Sequence, residues 1–246
     1  MDRLYGFEGG SALRAAHVCV VGIGGVGSWA AEALARTGVG RITLIDMDHV
    51  AESNVNRQIQ ATTDTLGMAK IDAMRQRIAS INPACHVTGI DAFVEPGNWP
   101  AILPIDVDGV IDACDQMRAK VAMAAWALAS RPVFITVGAA GGKRQAEDIT
   151  IADLSACTHD PLMAELRYQL RKHHGAAKAG KKMGLHCVYS PEPMRIPALP
   201  PDASDAAPRV AAGLNCSGYG SLVTVTATCG MAAAGWILNK LSGGRK

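Results

Sequence analysis

The feature that most constrains the fold is a strand, a glycine-rich turn, a helix and a second strand within residues 20–50. The turn has the pattern Gly-x-Gly-Gly-x-Gly, formed by Gly22, Gly24, Gly25 and Gly27. Because glycine has no β-carbon, such a turn brings backbone N–H groups close to phosphates at a helix amino terminus, where the helix dipole favours negative charge. The stretch therefore predicts a nucleotide-binding site.

Apolar runs alternate with helical patterns along the first part of the chain. The runs predict strands at Val18–Val21, Ile42–Ile45, 86–90, Val107–Ile111 and Val133–Val137. The periodicity predicts helices at Ser28–Thr37, Met68–Ile81, Met117–Ala129 and Asp160–His173. Strands and helices in alternation predict a mostly parallel, Rossmann-like α/β sheet with helices on both faces.

The length and composition favour one domain. With 246 residues, of which 49% are hydrophobic, the chain is long enough for a full core. We expect a nucleotide-binding core at about residues 11–140 and a substrate-binding part at about 141–246. Residues 191–216 contain six prolines and predict a long surface loop.

The cysteine content and the net charge indicate in which compartment the protein works and which partners it can bind. The seven cysteines never occur as Cys-x-x-Cys, which indicates neither a disulfide framework nor a zinc site and favours a reducing cytoplasm. The net charge of +2 is too small for general nucleic-acid binding, so a polyanion contact needs a local basic cluster. The uncharged stretch 221–238 is long enough for a membrane helix, but its small and hydroxylated residues favour a helix buried on the sheet over membrane association.

Charged side chains follow several of the predicted strands. Asp46, at the end of the second strand, is placed to bind ribose hydroxyls, which suits a dinucleotide and ATP equally well. Arg57 and Lys70, just downstream, suit the neutralisation of a triphosphate. Asp112 and Asp115 end a later strand, at the edge where parallel sheets bind ligands, and Mg²⁺ takes one or two such carboxylates. An N-cap is the competing interpretation of Asp115.

Several motifs carry a resemblance to a known family. "GIGGVGS", "LIDMDHV", "NVNRQ", "GMAK" and "VIDACD" occur in the order and spacing of the ThiF and MoeB family, which is related to the adenylating domain of ubiquitin-activating enzymes. The resemblance implies an adenylating-enzyme fold and an enzyme that uses ATP to activate a carboxylate. It implies that Asp46 binds the ribose, Arg57 and Lys70 the phosphates, and Asp112 the magnesium ion. It also implies that four more residues contact the nucleotide, namely Asp48, Asn54, Gln58 and Asp115.

The remainder of the chain is similar to one branch of that family. "GAAGG", "ITIADLS", "DPLMAELR" and "CVYSPE" resemble the dehydratases that use ATP to cyclise threonylcarbamoyladenosine beside the anticodon of tRNA. The resemblance to the ThiF and MoeB family as a whole implies a homodimer in which Arg3, in "RLYG", reaches the triphosphate of the other subunit. The branch also allows a monovalent cation, Na⁺ or K⁺, and a cysteine desulfurase or sulfur-acceptor partner.

Other functions compete with this interpretation. Activation of a ubiquitin-like sulfur carrier is the main alternative, but such activators usually hold zinc with two Cys-x-x-Cys pairs that this chain lacks. A scaffold that binds ATP without turnover is a second alternative, and an NAD oxidoreductase is the weakest. Cys187 and Cys216 are candidates for accepting an acyl group or a persulfide, although buried structural thiols are commoner.

One segment is strongly basic. Residues 166–182 contain no acid and six cations, namely Arg167, Arg171, Lys172, Lys178, Lys181 and Lys182. Cations on phosphates give salt-sensitive affinity without sequence preference, as expected for a tRNA stem. A solvated helix end is the competing interpretation, because basic residues favour a helix carboxyl terminus. Taken with the resemblance, the segment predicts tRNA contact.

Overall fold

The computed structural model describes residues 1–195 and 219–243, and within them one sheet of seven strands forms the centre of the molecule. The strands are β1 (His17–Val21), β2 (Arg41–Ile45), β3 (His86–Ile90), β4 (Gly109–Asp112), β5 (Val133–Val137), β6 (Thr150–Asp153) and β7 (His186–Tyr189). Their order in the sheet is β3-β2-β1-β4-β5-β7-β6, and only β6 runs antiparallel to its neighbour. The predicted mostly parallel α/β sheet is confirmed.

Helices cover both faces of this sheet. In the described residues they are α1 (Asp2–Ala15), α2 (Gly27–Arg36), α3 (Lys70–Ile81), α4 (Met117–Ser130), α5 (Pro161–His173) and α6 (Val223–Leu241). Side chains of β1 alternate between two cores, so Val18 and Val20 join the core beneath α2, α3 and α6, whereas Cys19 and Val21 join the core beneath α4 and α5. A strand that packs on both faces is mostly apolar, as Val18–Val21 of β1 are.

The stretch 221–238 forms most of α6, which packs against α2 and β5. Its residues Ala233, Ala234 and Ile237 are fully buried. The predicted buried helix is therefore confirmed. In the part of the chain that the structure describes, no helix combines the length and the apolar character that a membrane span requires.

Three elements were not predicted from the sequence, namely α1, β6 and β7. Helix α1 bends at Gly6, which has a φ of +73°, so its apolar residues do not follow one helical period. Strand β6 has only four residues and none of them is fully buried, so it shows little apolar pattern. The predicted helix at Met68–Ile81 begins two residues later, because the N–H of Met68 bonds to Thr65 O in a preceding turn. Most of the predicted proline-rich loop, residues 196–216, lies outside the described residues.

Candidate active site

A cleft of about 310 Å³ opens at the carboxyl ends of β1, β2, β4 and β5. Strands β2 and β3 lie on one side of β1, whereas β4 and the later strands lie on its other side. The direction in which the chain adds strands to the sheet therefore reverses between β1 and β4. Loops at such a reversal diverge and leave a crevice, which is where open parallel sheets bind ligands. The lining residues include Gly22, Gly24, Gly25, Asp46, Asp48, Asn54, Arg57, Gln58, Lys70, Phe93, Cys114 and Asp115.

The glycine turn forms the wall of the cleft at the start of α2. Gly22 has a φ of +85°, a conformation that residues with a side chain rarely adopt. A β-carbon on Gly27 would lie 1.8 Å from the carbonyl oxygen of Gly22, so only glycine fits there. Gly27 itself is the first residue of α2 and does not line the cleft. The turn therefore exposes Gly22, Gly24 and Gly25 to a ligand, with the amino terminus of α2 behind them.

Asp46 follows β2 and lies beside the glycine turn. Its carboxylate accepts hydrogen bonds from the backbone N–H groups of Ile23, at 2.6 Å, and Asp48, at 2.8 Å. Burial raises the pKa of Asp46, and the nearby Lys70 ammonium opposes that rise. A carboxylate has four lone-pair sites, so the two oxygens still have acceptor capacity for ribose hydroxyls. Its position agrees with the predicted ribose contact.

Lys70 and Arg57 place two positive charges in the same cleft. The Nζ of Lys70, which is almost buried, donates to Asp48 Oδ2 at 2.7 Å. The guanidinium of Arg57 donates through Nη1 to Ser53 O at 2.6 Å and to Asn56 Oδ1 at 3.0 Å. Each side chain keeps further N–H donors, because Lys has three and Arg has five. The pair is therefore able to bind phosphate oxygens.

Amide side chains shape the loop that carries Arg57. Asn54 Oδ1 accepts from the backbone N–H of Ala51 at 3.1 Å and closes a short 3-10 helix. Gln58 Oε1 accepts from Gln60 Nε2 at 3.1 Å, and the same nitrogen donates to Ile23 O in the glycine turn at 2.9 Å. Gln60 was not predicted as a site residue, although it lies two positions after Gln58 in "NRQIQ". It ties the loop to the turn and so fixes the distance between them.

The two acidic residues after β4 have different environments. Asp112 is completely buried, does not line the cleft, and accepts hydrogen bonds from Lys120 Nζ at 2.9 Å and Thr136 Oγ1 at 2.6 Å. Burial opposes the charge of Lys120, but the adjacent carboxylate outweighs it and the pKa of Lys120 is raised. Asp115 is exposed and lines the cleft. The geometry therefore disagrees with the magnesium role expected of Asp112, because its carboxylate is occupied by a buried ammonium, and it leaves Asp115 as the accessible carboxylate.

Cys114 lies between Asp112 and Asp115 in the sequence, and it lines the cleft. Its Sγ donates to Asp112 Oδ1 at 3.1 Å. Burial and the charge of Asp112 raise the pKa of Cys114 well above its ordinary value, so the thiol stays protonated. Cys187 is fully buried and its pKa is also raised, chiefly by a hydrogen bond with Cys157. Cys187 therefore has no access to a substrate in this structure, and Cys216 lies outside the described residues.

The predicted tRNA-binding residues divide into two groups. Arg167 donates to Leu154 O at 3.0 Å and Cys157 O at 3.1 Å, and Arg171 donates to Ala177 O at 3.0 Å. These two arginines therefore anchor the loops around α5. The other four are exposed, namely Lys172, Lys178, Lys181 and Lys182. The accessible positive surface is thus a lysine surface formed by these four residues.

Arg3 lies outside the cleft of its own chain. It is exposed on α1 and is not among the lining residues. Leu4 and Phe7 on the same helix are 78% and 75% exposed, which is high for large apolar side chains. Arg3 is therefore beside an apolar surface rather than beside the phosphates.

The fold and the cleft define a Rossmann-like nucleotide-binding protein, with a glycine turn, an acid after the second strand and two cations gathered at the sheet reversal. The ThiF family model matches residues 1–246, and the chain belongs to the ThiF family. It is 44% identical to the tRNA threonylcarbamoyladenosine dehydratase of Escherichia coli K12, over 97% of this chain and 91% of that protein. It is 41% identical to the enzyme of the same name from Haemophilus influenzae, over 98% and 91%.

The same similarity extends to three-dimensional structure. A crystal structure of the E. coli dehydratase in complex with ATP superposes with a TM-score of 0.87 at 43% identity, covering 98% of this chain and 91% of that one. Identity at this level over nearly the full length of both chains includes the cleft and the segment that follows it.

Proposed function

We propose that this protein is an ATP-dependent dehydratase that cyclises threonylcarbamoyladenosine in tRNA. The observation that carries the proposal is the cleft itself, where Asp46, Arg57 and Lys70 lie around a glycine turn and provide partners for the ribose and the phosphates of ATP. The full-length similarity to dehydratases, rather than to the shared nucleotide-binding core alone, selects this reaction among those of the family.

The chemistry explains why such an enzyme consumes ATP. A free carboxylate is a poor electrophile, because oxide would have to leave. Attack of the threonyl carboxylate on the α-phosphorus forms an acyl adenylate and releases pyrophosphate. A nucleophilic atom of the same substituent then attacks the acyl carbon, closes the ring and expels AMP, which carries away the carboxylate oxygen. Since ring closure is intramolecular, positioning supplies much of the rate and no nucleophile from the protein is required.

The residues of the cleft have separate roles in this proposal. Arg57 and Lys70 stabilise the negative charge that moves onto the departing pyrophosphate, and Lys70 exchanges Asp48 for a phosphate oxygen when ATP binds. Asp115 is our candidate for holding Mg²⁺, which takes only one or two carboxylates when phosphates supply its other ligands. The ion would neutralise phosphate charge. Asp112 then has a structural role, in which it fixes the end of β4 through Lys120.

We also propose that two copies associate through α1. Exposed Leu4 and Phe7 give this helix an apolar surface that a second copy would bury, and such surfaces commonly mark interfaces. In that arrangement Arg3 of one copy would approach the cleft of the other. The four residues of the lysine surface contact the tRNA backbone. The monovalent cation, the desulfurase partner and the cytoplasmic location stay predictions from the sequence.

The test is incubation of the protein with ATP, Mg²⁺ and tRNA that carries threonylcarbamoyladenosine, followed by mass spectrometry of the nucleosides. We expect a nucleoside lighter by one water, formed only with ATP, and lost in Arg57→Ala. Pyrophosphate release with a protein that ends in Gly-Gly, together with an unchanged nucleoside, would replace the dehydratase with the sulfur-carrier activator. Tight ATP binding without pyrophosphate release from either substrate would instead support the scaffold.

A further inference from the structure

A second cavity, of about 510 Å³, lies at the opposite edge of the sheet from the ATP cleft. It is bounded by the first residues of β5, the turn before β7 and the last turns of α6. Because β5 and β7 are parallel, their amino ends lie together and away from the cleft at their carboxyl ends. We name it the basal cavity, and its walls include Arg131, Phe134, Leu185, His186, Trp236 and Lys240. Its volume is within the range of about 300–1,000 Å³ that is usual for ligand pockets.

The charge of the basal cavity is positive. Arg131 and Lys240 are both exposed, and neither forms an ion pair with another described residue. Among the described residues of its lining there is no Asp or Glu. The neighbouring Asp153 is not part of the lining; its oxygens accept from the backbone N–H groups of Ser155 at 2.9 Å, Met183 at 2.9 Å and Gly184 at 2.7 Å, and its negative charge acts on His186. The lining itself therefore carries two cations that have no ion-pair partner among the described residues, which suits an anion.

One wall of the cavity is aromatic. The rings of Trp236 and His186 lie 5.0 Å apart between centroids at an angle of 38°, and Lys240 Nζ lies 5.5 Å from the centroid of Trp236. Burial, and then the charge of Lys240, lower the pKa of His186, so its ring is neutral at pH 7 and acts as part of the wall. Phe134 and Leu185 complete the apolar surface. The ring of Trp236 beside Arg131 and Lys240 matches the two parts of a nucleotide, its base and its phosphate.

The cavity also continues the lysine surface. Met183 and Gly184, which line it, directly follow Lys181 and Lys182 along the chain. An RNA strand that contacts those lysines through its phosphates would pass the mouth of the cavity. This continuity favours a nucleotide within a polymer over a free metabolite.

We propose that the basal cavity binds one nucleotide of the tRNA other than the one that reacts, with its phosphate at Arg131 and Lys240 and its base against Trp236. The identification of the polymer as tRNA rests on the proposed function, whereas the nucleotide chemistry rests on the cavity itself. The contact supplies affinity and orientation far from the chemical step. It therefore affects tRNA binding and not the reaction of bound tRNA.

The first test removes the two cations and measures tRNA affinity over a series of salt concentrations. Arg131→Asn suits this purpose, because Arg131 has a φ of +52° and Asn tolerates that conformation. We expect the double variant with Lys240→Gln to bind tRNA about ten-fold more weakly at low salt, and its log–log salt dependence to be flatter by about one. KM for tRNA rises and kcat is unchanged. Arg14→Gln with Arg75→Gln, on α1 and α3, is the control, because it removes the same charge elsewhere and both arginines pair only with exposed acids.

The second test concerns the aromatic wall. Trp236→Leu should weaken tRNA binding about ten-fold without changing the salt dependence, since stacking involves no counter-ion release. Trp236→Phe retains a ring and should restore most of the affinity. If Trp236→Leu unfolds, as circular dichroism would reveal, the Phe variant and the double charge variant still test the cavity.

The outcomes separate this inference from the proposed function. If the double charge variant binds tRNA as tightly as its control, the inference is wrong even when the wild-type protein dehydrates its substrate. If the wild-type protein leaves the nucleoside unchanged but its tRNA affinity depends on Arg131 and Lys240, the dehydratase is wrong and the inference stands. Saturable binding of uridine monophosphate that the double variant loses, with unchanged tRNA affinity, would assign the cavity to a free nucleotide and overturn the inference.

Discussion

The contrast between Asp112 and Asp115 gives a direct test of how the site is built. Each is replaced by Asn, which keeps the size of the side chain and removes its charge. In Asp112→Asn the ammonium of Lys120 stays in a position with 0% exposure and loses the carboxylate 2.9 Å away. Removing one partner of a buried ion pair costs about 3–5 kcal/mol, because the other charge is left without compensation. Asp115 is exposed, so its replacement should change the free energy of unfolding by less than about 0.5 kcal/mol.

For catalysis we expect the opposite order, in which replacement of Asp115 has the larger effect. Asp115→Asn removes the carboxylate that we propose for Mg²⁺, and we expect pyrophosphate release to fall by about 10²–10³, as when other preorganised charge-stabilising groups are lost. Asp112→Asn should keep most of its rate per folded molecule. Lys120→Met should be as destabilising as Asp112→Asn, and the two changes together should cost clearly less than their sum, because the double variant leaves no unpaired charge.

Urea unfolding followed by circular dichroism gives the stabilities, and a coupled pyrophosphate assay, normalised to the folded fraction, gives the rates. Suppose that Asp112→Asn has the same urea midpoint of unfolding as the wild type but releases no pyrophosphate. The carboxylate would then act on the substrate or its metal ion, and the assignment drawn from burial would be refuted. Additive costs for Asp112→Asn and Lys120→Met would refute the ion pair as a source of stability.

Three further outcomes follow from the same structure. Arg57→Ala should lower pyrophosphate release by about 10²-fold with little change in unfolding, and a normal rate would exclude this residue from phosphate binding. The hydrogen bond from Arg41 lowers the pKa of Asp106 below its ordinary value of 3.8, so the stability that Asp106 adds is present above that pH and lost as the pH falls through the lowered pKa. The gap in unfolding free energy between wild type and Asp106→Asn should therefore narrow as the pH falls below 3.8, and a gap that does not narrow in acid would contradict the assignment. Burial raises the pKa of Cys229 to about 12, so at pH 8 only about 10⁻⁴ of this thiol is ionised, and iodoacetamide should label it in urea but not in the folded protein, as peptide mass spectrometry will show.

The helices and strands illustrate what local pattern can predict. The central strands are short apolar runs beside amphipathic helices, and their periodicity depends only on neighbouring residues, so they could be read from the sequence. Helix α1 and strand β6 could not, because a bend at Gly6 interrupts the first and the second is a half-exposed edge strand. Their formation depends on the elements against which they pack.

The candidate site shows the same division. The sequence by itself determined the glycine turn and Asp46, because a nucleotide requires them at intervals fixed by one strand, one turn and one helix. Arg57 and Lys70 were predicted from their charge and from the family resemblance, and the structure places both in the same cleft. It did not distinguish Asp112 from Asp115, three positions apart, because only the packing of α4 against β4 and β5 places Lys120 and Thr136 around one carboxylate and leaves the other in the cleft. Nor did it indicate the basal cavity, whose walls come from three separate parts of the chain. Tertiary structure decided these features, since burial and charge pairing depend on residues that meet only when the sheet and its two helical layers assemble.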